Sequence, residues 1–225
     1  MGPGAEALLR KPAVLPCVLR VWLGVIAALA AVVVVVLGVL YAGHSEPGRV
    51  DRWVVRPTAD SVGPPWRYLA LATDFLGEPG GAAALVVALV TACLLLRRPR
   101  AAVLVVAGAG VSVATATSLK HVVGRTIHGD GNLSYPSGHT AFLTALALVV
   151  ALFATGRLGL RGTAGTSLVL AAALLAGAAM GWAQVALGAH YPTDVLGGWC
   201  TALAVVPATA WLVDRVADAG RPGRR

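Results

Sequence analysis

Six stretches of this chain, each 16 to 22 residues long, contain no Asp, Glu, Lys or Arg: Val21–Tyr41, Gly80–Leu96, Ala101–Leu119, Thr140–Thr155, Thr166–Leu187 and Val195–Val213. A helix needs about 20 apolar residues to cross the hydrocarbon core of a bilayer. Inside that core a backbone must satisfy its own polar groups, which leaves helices and closed barrels. The valine run Val32–Val36 would suit a strand in water, but its length and its lack of polar alternation predict a lipid-embedded helix. Composition agrees. Hydrophobic residues make up 57% of the 225 positions and charged residues 12%, against about 25% charged in soluble domains. So few charges cannot coat a water-soluble fold, and they equally exclude a disordered chain. The expected architecture is all-α, a six-transmembrane-helix bundle. The fourth stretch is the shortest and reaches spanning length with Gly138 and His139 included. The first exceeds the ~7–15 residues of a signal-peptide core and reads as an uncleaved anchor.

Lys and Arg set the expected orientation. Twelve of the eighteen fall on one side: Arg10, Lys11, Arg20, Arg97, Arg98, Arg100, Arg157, Arg161, Arg215, Arg221, Arg224 and Arg225. That side is expected to be cytoplasmic, with residues 1–20 and 214–225 as cytoplasmic tails, loose over Met1–Pro16 and Asp218–Arg225, on a transmembrane domain spanning 21–213. The net charge of +8 then marks cytoplasmic edges facing anionic headgroups. No basic stripe interleaved with aromatics points to nucleic acid. The proline-rich segment 44–79 is the long external connection, with a short interfacial helix expected over Trp66–Leu76. Cys17, Cys93 and Cys200 form no CxxC pattern and are read as small hydrophobes. Trp22, Trp53, Trp66 and Trp211 suit interfacial belts.

The scarce ionisable groups are unevenly placed. His121, His128, His139 and His190, with Lys120, Arg125, Asp130 and Asp194, gather at span ends on the outer face. Polar groups at membrane depth are costly and mark a functional site by default. In Tyr135-Pro136-Ser137-Gly138-His139-Thr140 a tight turn precedes a span, with Ser137 suited to N-cap it. Such a start is either a plain capped helix or an anion site whose free N–H groups suit phosphate. In His190-Tyr191-Pro192-Thr193-Asp194, Pro192 suits a first helical position. The i, i+4 spacing lets Asp194 reach the His190 imidazole and fix its tautomer, or Asp194 is simply a charge favoured at a helix start. Lys120 is either a snorkelling lysine or a phosphate clamp.

Taken together, Lys120…Arg125, Pro136-Ser137-Gly138-His139 and His190-x3-Asp194 resemble the three motifs of the type 2 phosphatidic acid phosphatase (PAP2) superfamily, over roughly Trp66 to Val213. The resemblance implies an active site at the extracytoplasmic helix ends. His190 matches the nucleophile that forms a phosphohistidine, Asp194 its orienting carboxylate and His139 the general acid. Ser137 and Gly138 match the phosphate cradle and Lys120 the first-motif lysine. It implies a metal-independent phosphatase with no cofactor, acting on a lipid such as a polyprenyl pyrophosphate, a phosphatidate or a phosphatidylglycerol phosphate. No metal-ligand spacing is visible in the sequence.

Two departures stand out. Ile127 and His128 occupy the arginine-proline positions of the first motif, with Arg125 or His128 as candidates to replace the missing charge. Ala183-Gln184 stands where the third motif has serine-arginine, leaving Gln184 to offer uncharged hydrogen bonds. Charge-assisted bonds to phosphate are worth roughly 1.5–3 kcal/mol each. A degenerate member that binds lipid phosphates or partners without turnover is therefore the alternative. A transporter would call for charges near mid-bilayer or repeated broken helices, and the sequence has neither. Haloperoxidase relatives are soluble.

Overall fold

The computed structural model describes residues 13–129 and 131–219, without the side chains of residues 59–61. Asp130 and the basic residues Arg10, Lys11, Arg221, Arg224 and Arg225 lie outside the described residues. A short 3-10 turn, Cys17–Leu19, leads into eight α-helices: α1 (Arg20–Leu40), α2 (Arg49–Ser61), α3 (Pro64–Phe75), α4 (Pro79–Leu95), α5 (Pro99–Val123), α6 (Gly138–Leu158), α7 (Gly162–Ala186) and α8 (Pro192–Ala219).

Local chemistry sets many of the boundaries. Prolines open α3, α4, α5 and α8, at positions whose N–H has no helical partner anyway. Gly124 and Gly159 close α5 and α6 in the left-handed region at φ 64° and 63°, the usual glycine stop. Ser137 caps α6 by accepting from the Thr140 N–H. Five segments are long and apolar enough to span a membrane alone: Cys17–Leu40 (the turn with α1), α5, α6, α7 and α8. The sixth expected span, α4, has 17 residues and joins α3 across a 60° bend. Many large apolar side chains face outward, such as Val21 and Val39 at 73% exposure and Leu95 at 78%. That is a lipid-facing surface, and the protein is a multi-pass membrane protein.

The core lies where α5, α6, α7 and α8 meet, around Leu104, Val105, Leu148, Leu152, Val169 and Val206. Small residues bring α7 and α8 close: a Cβ on Gly177 would enter the Trp199 ring and one on Gly181 would collide with Val195. Close backbone approach is how helices gain packing energy where water supplies no hydrophobic drive.

The ends of the chain differ from expectation. Residues 13–16 are not a loose tail: Leu15 is buried, and the Val14 and Leu15 N–H groups both donate to the Asp214 carboxylate at 3.0 Å. Nor does the last helix stop at Val213. Arg100 pairs with Asp214 at 3.3 Å and Asp218 at 2.6 Å, so the charge at Asp214 is compensated and α8 runs on to Ala219. The connection over residues 44–79 also holds a helix that hydropathy misses, α2, opened by the Asp51 carboxylate accepting from the Gly48 N–H at 2.9 Å.

Candidate active site at one end of the bundle

At the end opposite Arg100 and Asp214, the α7–α8 turn, the start of α6 and the loop 124–137 converge. His190 sits in the turn, its N–H and that of Ala189 donating to the Gln184 carbonyl. Asp194, fully buried in the first turn of α8, receives Arg125 Nη1 on Oδ1 at 2.6 Å and the Tyr191 N–H on Oδ2 at 3.0 Å. With both oxygens held, Oδ2 stands 3.8 Å from His190 Nδ1, longer than a hydrogen bond. Catalytic contacts are often loose before substrate binds. Burial pushes the His190 imidazole below the ordinary histidine range; Asp194 pulls the other way and Lys120 adds to the lowering. Burial therefore disfavours the charged form of this imidazole.

The α6 start is tied to the same centre. The Ser137 N–H donates to the Asp194 carbonyl at 2.9 Å. Gly198 lets α8 press against the Ser137 carbonyl, and Gly197 lets it press against the Tyr135 ring. Tyr135 in turn donates to the Val34 carbonyl of α1 at 2.7 Å. The Ser137 hydroxyl oxygen accepts from Thr140 Oγ1 at 3.1 Å and Thr140 N at 3.4 Å, so it caps the helix. Gly138 faces open space. Lys120 is half-buried, its Nζ donating to the Leu133 carbonyl at 2.9 Å. His139 occupies the first turn of α6, close enough for its charge to bear on His190.

Two expected phosphate ligands are engaged elsewhere. Arg125 is fully buried, with Nη2 on Asp51 at 2.8 Å and Nη1 on both Asp194 and the Thr193 hydroxyl at 2.6 Å. Its guanidinium lies between the rings of Tyr41 and Tyr191, at 4.1 and 4.7 Å from their centroids. It is the cation of a buried triad rather than a free phosphate clamp, because two carboxylates compensate it. Gln184, 1% exposed, donates Nε2 to Asp74 Oδ1 and so points at a carboxylate. His128 does not replace the missing charge either: Nε2 contacts the Gly188 carbonyl at 2.7 Å on the surface. His121 is exposed on α5.

Asp51, Asp74 and Glu78, all within the 44–79 connection, belong to none of the sequence motifs. Asp51 is fully buried and accepts from Arg125, Gly48 N–H, Thr193 N–H and the Thr193 hydroxyl. Burial pushes its carboxyl up, but these donors outweigh burial and hold it below its ordinary value of 3.8. Asp74 and Glu78 each stand 3.7 Å from His139 Nε2, forming a group of metal-ligand type that no sequence spacing announced. The available signal was scarcity: with ten Asp and Glu in the chain, any carboxylate at this face merits inspection, and Gly48-x-x-Asp51 is a helix-start pattern.

Residues 110–218 match the PAP2 superfamily. Among solved structures, the fold is similar to the crystal structure of a transmembrane PAP2-type phosphatidylglycerolphosphate phosphatase from Bacillus subtilis. The TM-score is 0.66 at 19% identity, over 88% of this chain and 98% of that one. No curated protein matches the chain.

Proposed function

Because residues 110–218, which carry His139, His190 and Asp194, belong to the PAP2 superfamily, we propose that this protein is a metal-independent lipid phosphatase working through a phosphohistidine on His190. The observation that carries the reading is the shared anchoring of the two histidine motifs, with the Ser137 N–H bonded to the carbonyl of Asp194, the residue that faces His190 Nδ1. Nδ1 faces the carboxylate, which leaves Nε2 to attack phosphorus.

In the first step the His190 Nε2–P bond forms and the P–O bond to the lipid breaks. His139 protonates the departing oxygen. In the second, His139 takes a proton from water, the water oxygen bonds to phosphorus, and the N–P bond breaks to release inorganic phosphate. The open α6 N-terminus at Gly138 and the Lys120 ammonium hold the phosphoryl oxygens. Arg125 acts through Asp194 as a positioning residue, and Gln184 acts through Asp74. The Lys and Arg bias assigns this end to the outer face of the membrane, where a substrate keeps its tails in the bilayer and offers its phosphate to the helix ends.

The test is phosphate release in detergent micelles, with chelator present, across polyprenyl pyrophosphate, polyprenyl phosphate, phosphatidate and phosphatidylglycerol phosphate. At least one substrate is expected to turn over, and His190→Ala and His139→Ala are each expected to lose at least ~100-fold with unchanged thermal melting. Full turnover in both variants would overturn the mechanism. A second reading, binding without turnover, is favoured by the engagement of Arg125 and Gln184 with carboxylates. Saturable substrate binding with no phosphate released would select it.

A further inference from the structure

The bend between α3 and α4 is fitted onto His139. Asp74 lies in the last turn of α3 and Glu78 is the residue before α4. Their carboxylates sit on the same imidazole nitrogen, Nε2, with Oδ1 and Oε1 each at 3.7 Å. That nitrogen is enclosed and has no hydrogen-bond partner. Gly77 makes the approach possible, since a Cβ there would run into the His139 ring. The Gly77 and Glu78 N–H groups both bond the Asp74 carbonyl, which holds the two carboxylates in one compact turn. Gln184 then fixes Asp74 from α7.

We propose that Asp74, Glu78 and His139 form a divalent-cation site of zinc type at the mouth of the active site. The spacing fits. Zinc bonds of about 2.1 Å at tetrahedral angles put neighbouring ligand atoms about 3.4 Å apart, within a few tenths of the two 3.7 Å separations. All three ligand atoms lie within 4.8 Å of one another. One imidazole nitrogen with two carboxylates suits zinc, whereas magnesium and calcium prefer all-oxygen sets. The Asp74 oxygen has a second lone pair, so the Gln184 bond persists as outer support of the kind that tunes metal affinity.

The site acts as a brake. Nε2 cannot coordinate zinc and carry the proton for the leaving oxygen at once, so bound zinc removes the acid. This sign rests on the reading of His139 as proton donor; the site itself does not.

The test uses the full chain in detergent, stripped with chelator and titrated with zinc chloride by calorimetry. One zinc per chain is expected to bind, with Asp74→Asn, Glu78→Gln and His139→Ala each weakening affinity at least ~10-fold. Zinc is expected to inhibit phosphate release, chelator to restore it, and Glu78→Gln to raise the half-inhibiting concentration by a similar factor. Glu78 is half exposed, so that variant folds unless thermal melting says otherwise, and Asp74→Asn provides a second. Equal zinc affinity in the three variants, or none in the parent chain, overturns the site. Activation by zinc overturns the brake. A chain that binds zinc as described yet releases no phosphate upholds the site and refutes the phosphatase reading instead.

Discussion

Asp51→Asn removes one charge from a fully buried polar centre and keeps its shape. Asp51 Oδ1 accepts from the Thr193 N–H at 3.0 Å and its hydroxyl at 2.9 Å; Oδ2 accepts from Arg125 Nη2 at 2.8 Å and the Gly48 N–H at 2.9 Å. An asparagine amide oxygen can keep the Thr193 pair. Its –NH2 then faces Arg125 and Gly48, two donors against a donor. One charge-assisted bond, worth about 1.5–3 kcal/mol, and one neutral bond of about 1 kcal/mol are lost. Their sum, about 2.5–4 kcal/mol, overlaps the ~3–5 kcal/mol cost of breaking a buried ion pair. At about 2–4 °C per kcal/mol for a chain of this size, the melting temperature should fall on the order of 10 °C. Arg125 loses one of its two carboxylates and is drawn toward Asp194, shifting the group that faces His190. A small misplacement there should lower kcat by about 10- to 100-fold while KM holds. The pH dependence has a fixed sign. The folded pKa of Asp51 lies below its ordinary value of 3.8. Its contribution is therefore complete above about pH 4 and is lost as the pH falls through the folded value. The melting gap between parent and variant should be constant near neutrality and close in acid. Thermal melting and phosphate release in the same detergent check all of this. A variant within about 2 °C of the parent at pH 7, with unchanged kcat, would refute the coupling of Asp51 to the site.

Gly198→Ala would drive a Cβ into the Ser137 carbonyl. Overpacking against backbone costs about 1–3 kcal/mol, and the lost Ser137–Asp194 register should show as reduced turnover together with a lower melting temperature. Gln184→Arg places a guanidinium beside Asp74, which compensates it, so turnover should change by less than about tenfold, the weight of one pair at ~1.4 kcal/mol. A gain of several hundredfold in phosphate release would mean the cradle lacks only that cation.

The spans were legible because the absence of charge over some twenty residues is a one-dimensional signal, needing no knowledge of neighbours. Ser137 as a cap and Pro192 as a first helical residue were legible for the same reason, since capping is decided within four residues. Arg125 was not. Its sequence position near Lys120 says nothing of Asp51, 74 residues away, or of the tyrosines on its two faces, and those contacts decide whether its charge is free. The partner of Gln184 is hidden in the same way, because Asp74 lies 110 residues distant. Asp214 reads as a span terminus until Arg100 and the Val14 and Leu15 N–H groups are seen to satisfy it.

The charge distribution at this end carries a consequence for specificity. Arg125 with Asp51 and Asp194 carries one net negative charge inside the protein, so it attracts no phosphate. Of the groups matched to the cradle, Lys120 makes no ion pair among the described residues, and the N-terminal dipole of α6 lies beside it. A helix terminus contributes about 0.3–1 kcal/mol, up to ~2 when partly buried, less than a bidentate guanidinium supplies. A headgroup held so lightly needs its tails for affinity, and buried chain supplies ~0.8 kcal/mol per CH2. The same guanidinium that the cradle forgoes is committed instead to holding Asp194 beside His190. On the proposed reading, headgroup grip is traded for a rigidly held His190, a trade that works only where the bilayer already concentrates the substrate at the helix ends.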